Sequence, residues 1–130
     1  ALGDPIVFVL HLSYAWLPVG LILLGGAMLS PFLPVSSAVH ALGAGAMGAM
    51  TLAVMTRATR GHTGRPLKAD RATIFIYILA HSGALLRVIA PLLPFDYLAV
   101  IALAGALWAA AFLLFLIAYV PMAVRRAPAV

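Results

Sequence analysis

Polar residues are sparse along this chain and fall in clusters, leaving four long apolar runs at about 6–29, 37–56, 72–92 and 95–120. Each run is near the ~20 residues that a helix needs to cross the hydrocarbon core of a bilayer. The first opens at the turn-like Gly3-Asp4-Pro5 and loosens at Gly25-Gly26, and Ser30-Pro31-Phe32-Leu33-Pro34 makes a short uncharged turn to the second. A longer, basic, glycine-containing stretch at about 57–71 precedes the third run, which ends at the Pro91 and Pro94 breaks. The pattern predicts an all-α fold: an integral membrane four-helix bundle, with residues 1–130 as a single transmembrane domain.

Within the runs, a second pattern is superposed on the first. Ala41, Gly45, Ala49 and Ala53 recur every four residues, stripping one helix face of bulk. Such a face lets helix backbones approach closely in lipid; it serves equally as a slot for a flat macrocycle. Pro18, inside the first run, removes a backbone hydrogen bond. It reads either as an ordinary kink or as room for a cofactor.

Composition strengthens the membrane reading. The chain is 65% hydrophobic and 8% charged, with a mean hydropathy of +1.16, whereas soluble domains carry about 25% charged residues. Its net charge of +5 has a cause other than nucleic acid. Seven of the eight basic residues, Arg57, Arg60, Arg65, Lys68, Arg71, Arg125 and Arg126, fall at one membrane face and only Arg87 falls towards the other. The positive-inside rule then places both termini and the 57–71 loop in the cytoplasm, and predicts a multi-pass protein of the bacterial cytoplasmic membrane. The chain begins at Ala1 with no signal pattern before the first run, which predicts a processed start or a piece of a longer protein.

Several chemistries are excluded. Without cysteine there are no disulfides, thiolate metal sites or iron–sulfur clusters. The three acids, Asp4, Asp70 and Asp96, lie outside or at the ends of the runs and there is no glutamate, so a proton antiporter's intramembrane carboxylate is missing. No nucleophile elbow or phosphate-binding loop occurs. No residue is assigned as catalytic, and ligand binding is expected rather than turnover.

The histidines and Arg87 remain. His11 and His81 fall roughly 8 and 13 Å from the same membrane edge at ~1.5 Å per residue, a similar depth on two helices, as a b-type haem requires. The alternative is two neutral imidazoles hydrogen-bonded to neighbours. His40 begins the second run near the opposite face, with Met47 on the same side of an α-helix and Met50 close by; histidine with thioether sulfur suits copper, although methionine also serves as filler. Arg87 either snorkels to the interface or pairs with a cofactor carboxylate such as a haem propionate. In Gly61-His62-Thr63-Gly64-Arg65-Pro66, backbone amides with Arg57 and Arg65 form a candidate anion or propionate site; lipid phosphate is the plainer ligand.

The stretch HALGAGAMGAMTLAVMTRATRGHTGRPL, His40 to Leu67, resembles the signature of the NnrS family, bacterial haem- and copper-containing membrane proteins linked to nitric oxide and denitrification. VLHLSYAWLPVGLILLGG, LLRVIAP and LWAAAFLLFLIAYVPM extend the resemblance from about Ile6 to Arg126. Family members are much longer, and the chain is similar to their C-terminal third. Gly43 stands where a threonine is expected after HAL. The resemblance implies haem and copper as cofactors, a part in the nitric oxide response, and His11, His40, His62 and His81 as candidate ligands. Two other partnerships are open: an accessory or structural subunit of a larger respiratory or photosynthetic membrane complex, and a homo-oligomer that rebuilds the longer architecture.

Overall fold

The computed structural model describes residues 3–125; Arg126, counted above with the basic face, lies outside them. Four helices carry the fold: α1 (Pro5–Leu29), α2 (Val35–His62), α3 (Arg71–Leu92) and α4 (Tyr97–Val124), each long and apolar enough to cross a membrane. The two most apolar helices, α1 and α4, are also the least buried. That inverts the soluble-protein rule, because lipid rather than water is the solvent these faces meet. This is a multi-pass helical membrane protein.

The helix starts are set by the three acids. Asp4 accepts from the Ile6 amide at 3.0 Å, Asp70 from the Thr73 amide at 2.9 Å and Asp96 from the Ala99 amide at 3.0 Å. Each therefore answers an otherwise orphaned N–H at a helix N-terminus. The chain's whole acidic complement is spent on capping. Pro5 and Pro91 sit where a missing N–H costs little, in the first turn of α1 and of the 3₁₀ turn Ala90–Leu92 that ends α3.

α2 is longer than the apolar run predicts, starting at Val35 and continuing to His62. Arg57, Arg60 and His62 thus belong to a helix that projects past the apolar zone. Its stop is the distinctive GHTG sequence. Gly64 takes φ +69, and the Arg65 amide returns to the Arg60 carbonyl at 2.9 Å, the Schellman arrangement that glycine permits in the left-handed region. The connecting loop is correspondingly shorter than 57–71.

In its middle, over Ala41–Ala49, α2 widens to i→i+5 hydrogen bonding. Extended wide turns of this kind are rare and recur at functional sites. Two tryptophans clasp the segment. A Cβ on Gly45 would meet the Trp16 ring at 2.5 Å, and one on Gly48 would meet Trp108 at 2.8 Å. Trp108 also donates to the Ala44 carbonyl at 3.3 Å. The small residues of α2 therefore serve close packing, with indole rings filling the space.

α2 packs against all three other helices, and the α1–α2 and α3–α4 pairs are the most extensive. One core draws on all four helices, including Val9, Leu52, Ile76, Ala111, Phe115 and Tyr119. It lies toward the end that holds the basic loop, where Arg65 donates to the Arg125 carbonyl at 3.4 Å. At the other end Ser37 donates to the Val88 carbonyl at 2.8 Å, pinning the start of α2 to the end of α3.

Candidate functional site

The opposite end of the bundle holds a groove instead of a core. His40 and Arg87, on α2 and α3, border it together with Gly43, Gly105 and Trp108, and its volume is about 710 Å³. That lies in the ordinary range for small-molecule and cofactor sites. The rest of the lining is apolar, including Leu98 and Ile101 of α4. Gly43 and Gly105 differ from the packing glycines: a Cβ on either would meet nothing within 4 Å. Their missing side chains enlarge the groove and relieve no contact.

The two polar groups in this groove are both left with open bonding capacity. His40 Nδ1 lies 2.6 Å from the Ser36 carbonyl, which can only accept, so Nδ1 carries a proton and, in the neutral ring, Nε2 has the lone pair. A carbonyl partner on one ring nitrogen is the usual way a ligand histidine is oriented. Arg87 reaches to within 5.9 Å of the Tyr97 ring centroid, yet its buried NH1 has no hydrogen-bond partner among the described residues. Buried polar groups are nearly always satisfied, so an orphaned guanidinium nitrogen calls for a partner.

His81 is in the reverse state. Trp16 Nε1 donates to His81 Nδ1 at 3.0 Å, and Ser13 Oγ lies 3.5 Å from Nε2. An indole can only donate, so Nδ1 is unprotonated, the ring is neutral and Nε2 carries the hydrogen. No lone pair is free for a metal. His11 is exposed on α1, with Nδ1 bonded to the Val7 carbonyl at 2.9 Å. The smaller apolar cavity that His81 borders is lined by Phe8, Leu12 and Tyr77, and His11 is absent from it. The structure does not bring the expected His11–His81 pair together. Pro18 is exposed and borders none of the cavities that His40, His62 or His81 line.

Nor are His40 and Met47 brought together. Met47 is 72% exposed and lines a separate depression with Met50 and Tyr14. An α-helix returns to the same side after seven residues, but the wide segment turns less per residue and carries Met47 to another face. Among the described residues, no cluster of three or more histidines and acids could hold a metal ion.

At the basic end a network is built around Arg60, which is 6% exposed. Its Nε donates to Tyr119 Oη at 3.0 Å, NH1 to the Pro66 carbonyl at 3.3 Å and NH2 to Asp70 Oδ2 at 2.6 Å. Thr73 Oγ1 bonds both Asp70 Oδ1 at 2.8 Å and Tyr119 Oη at 2.5 Å. Burial alone would raise the Asp70 carboxyl. The Thr73 amide and hydroxyl and the Arg60 guanidinium outweigh it and hold the pKa below its ordinary 3.8. Arg57 and His62 are exposed and share a shallow groove. Arg65 turns instead to the C-terminal end of α4, with its Nε unpartnered. Arg57 and Arg65 thus do not form one anion site.

The convergence of His40 and Arg87 was not drawn from the sequence, although both fall near the same face and that shared depth was the available signal. Trp108 and Gly105 carried none, because they come from a helix distant in sequence. Fold and groove together define a four-span membrane protein with a groove of about 710 Å³ bordered by one imidazole and one guanidinium. The chain belongs to the NnrS family: the model of that family, described as NnrS protein, matches residues 1–126. No curated protein and no solved structure matches it.

Proposed function

We propose that this chain binds haem b in the His40–Arg87 groove and acts in the bacterial response to nitric oxide. The observation that carries the binding half is that His40, with Nδ1 on the Ser36 carbonyl, and Arg87, whose buried NH1 has no partner among the described residues, border one apolar groove of about 710 Å³. A haem would find here a nitrogen ligand, apolar walls and a cation for a propionate. Iron held there would supply a binding position for a diatomic gas. His40 is the ligand, oriented by the Ser36 carbonyl, and Arg87 is the anchor for the carboxylate. Gly43 and Gly105 keep the slot open and Trp108 lines it. The nitric oxide half rests on the family resemblance. Copper is the lesser expectation, since His40 lacks a thioether beside it.

Reconstitution of the purified chain with haem tests this directly. A Soret band that His40→Ala abolishes and Arg87→Gln weakens by about tenfold, the worth of one charge-assisted hydrogen bond, is the expected result. Loss of the band in His81→Ala with retention in His40→Ala would restore the pairing that depth alone suggested.

One observation favours a second reading, an accessory subunit of a larger respiratory or photosynthetic membrane complex. Gly43 and Gly105 leave a small-residue wall that also suits the close approach of a neighbouring helix. A haem-free chain co-purifying in fixed ratio with such a complex would select that reading.

A further inference from the structure

We propose that the basic end of the molecule carries a binding site for a single anionic phospholipid, in the groove between α1 and the projecting end of α2. The groove has a volume of about 550 Å³ and combines two kinds of wall. Leu10, Val54 and Leu67 form its apolar wall; Val54 is 50% and Leu67 41% exposed, so that wall is continuous with the lipid-facing surface. Arg57 and His62 supply the polar wall. Both are exposed.

Among the described residues, Arg65 Nε is the one buried side-chain nitrogen or oxygen at this end without a partner. Arg60 is consumed by Asp70, Thr73 and Tyr119, and Arg65 reaches the Arg125 carbonyl. Arg57 and His62 have no side-chain partner among the described residues. The chain has no acid to offer them, since Asp4, Asp70 and Asp96 all cap helices.

The groove also stays open for no packing reason. A Cβ on Gly61 would meet only Leu67, at 4.0 Å. A free inorganic anion would satisfy the guanidinium and leave Leu10, Val54 and Leu67 uncovered. A lipid phosphodiester satisfies both walls at once, its headgroup on Arg57 and His62 and its acyl chain along Leu10 and Val54. Basic pockets at the ends of membrane helices take anionic headgroups for this reason.

The test uses the full chain in a neutral detergent, titrated with phosphatidylglycerol or phosphatidylcholine while native mass spectrometry counts retained lipid. The expected result is one retained phosphatidylglycerol, preferred by about tenfold over phosphatidylcholine. Arg57→Gln and Gly61→Leu each abolish that preference. The first removes the cation and the second keeps it while filling the groove, and circular dichroism checks that both remain helical. Arg71→Gln removes an equal charge from the same end, outside the groove, and leaves the preference intact. Equal retention of the two lipids, equal losses in Arg57→Gln and Arg71→Gln, or displacement of the lipid by equimolar inorganic phosphate would each overturn the proposal. These outcomes are independent of haem binding.

Discussion

Two arginines sit at opposite ends of the same bundle and have opposite fates. Arg60 gives each of its three nitrogens a partner and ties α2 to α3, α4 and the loop between them. Arg87 leaves NH1 buried and unanswered beside a groove. Both are costly to place near lipid, so the difference separates a charge kept for architecture from one left without a partner among the described residues. The histidines divide the same way. His81 is consumed by Trp16 and Ser13, whereas His40 keeps a free nitrogen facing the groove.

The largest expected effect breaks that comparison at the Arg60 end. Arg60→Ala takes the cation from Asp70 Oδ2 and the donor from Tyr119 Oη, and leaves both groups held by Thr73 alone. Removing one partner of a fully buried pair costs about 3–5 kcal/mol. Asp70 is 48% exposed and recovers water, which lowers the expected loss to about 2–3 kcal/mol, read as reversible unfolding in detergent. Arg87→Ala should stay within about 0.5 kcal/mol of the wild type, as a side chain without a bonded partner would, while losing haem retention. Equal destabilisation by both substitutions would erase the distinction.

The glycines sharpen the comparison next. Gly45→Ala drives a methyl to 2.5 Å from the Trp16 ring and should destabilise by about 1–3 kcal/mol. Gly43→Ala meets nothing and should stabilise the helix by up to ~1 kcal/mol. Gly43→Leu should then fold normally and bind no haem, since it fills the groove. Thermal unfolding with a Soret titration reads both quantities on one sample. A stable Gly43→Leu variant with full haem occupancy would place the cofactor elsewhere.

Acid offers a third contrast. A carboxyl with a folded pKa below its unfolded value contributes stability that is present above the unfolded pKa and lost as pH falls through the folded one. Asp70 is held below 3.8, so its contribution is intact at neutral pH and is lost progressively below about pH 4. Asp70→Asn should lower stability at pH 7 and flatten that acid limb. Arg60→Ala should remove part of it, and Arg87→Ala should leave it unchanged.

Much of this architecture is legible in the sequence, and the reasons are local. Apolar runs, the Asp caps and the GHTG stop are written in neighbouring residues, so four spans and their turns follow from spacing. The face on which a residue lands is less local. An α-helical count puts Met47 beside His40, and only the wide turn over Ala41–Ala49, stabilised by Trp16 and Trp108 from other helices, sends it away. Matching depth suggested a His11–His81 pair, but depth carries no information about rotation around the helix axis. His40 and Arg87 were each visible as an ionisable residue near one face. Their convergence depends on how α2 and α3 are rotated, which Ser37 and Val88 fix from residues distant in sequence.

The smallest effect concerns His81, whose state depends on one hydrogen bond. Trp16→Phe keeps a ring over Gly45 and removes the only donor to His81 Nδ1 among the described residues. One such bond is worth about 0.6–1 kcal/mol in a membrane bundle, so a small fall in unfolding temperature is expected. The ring is then free to exchange tautomers and expose a lone pair on either nitrogen. Because His81 borders a different cavity from His40, the haem spectrum of Trp16→Phe should match the wild type, and that of His81→Ala should match both. A shift to a bis-histidine low-spin spectrum in Trp16→Phe, abolished by adding His81→Ala, would mean that Trp16 holds a second ligand in reserve and that the two cavities communicate.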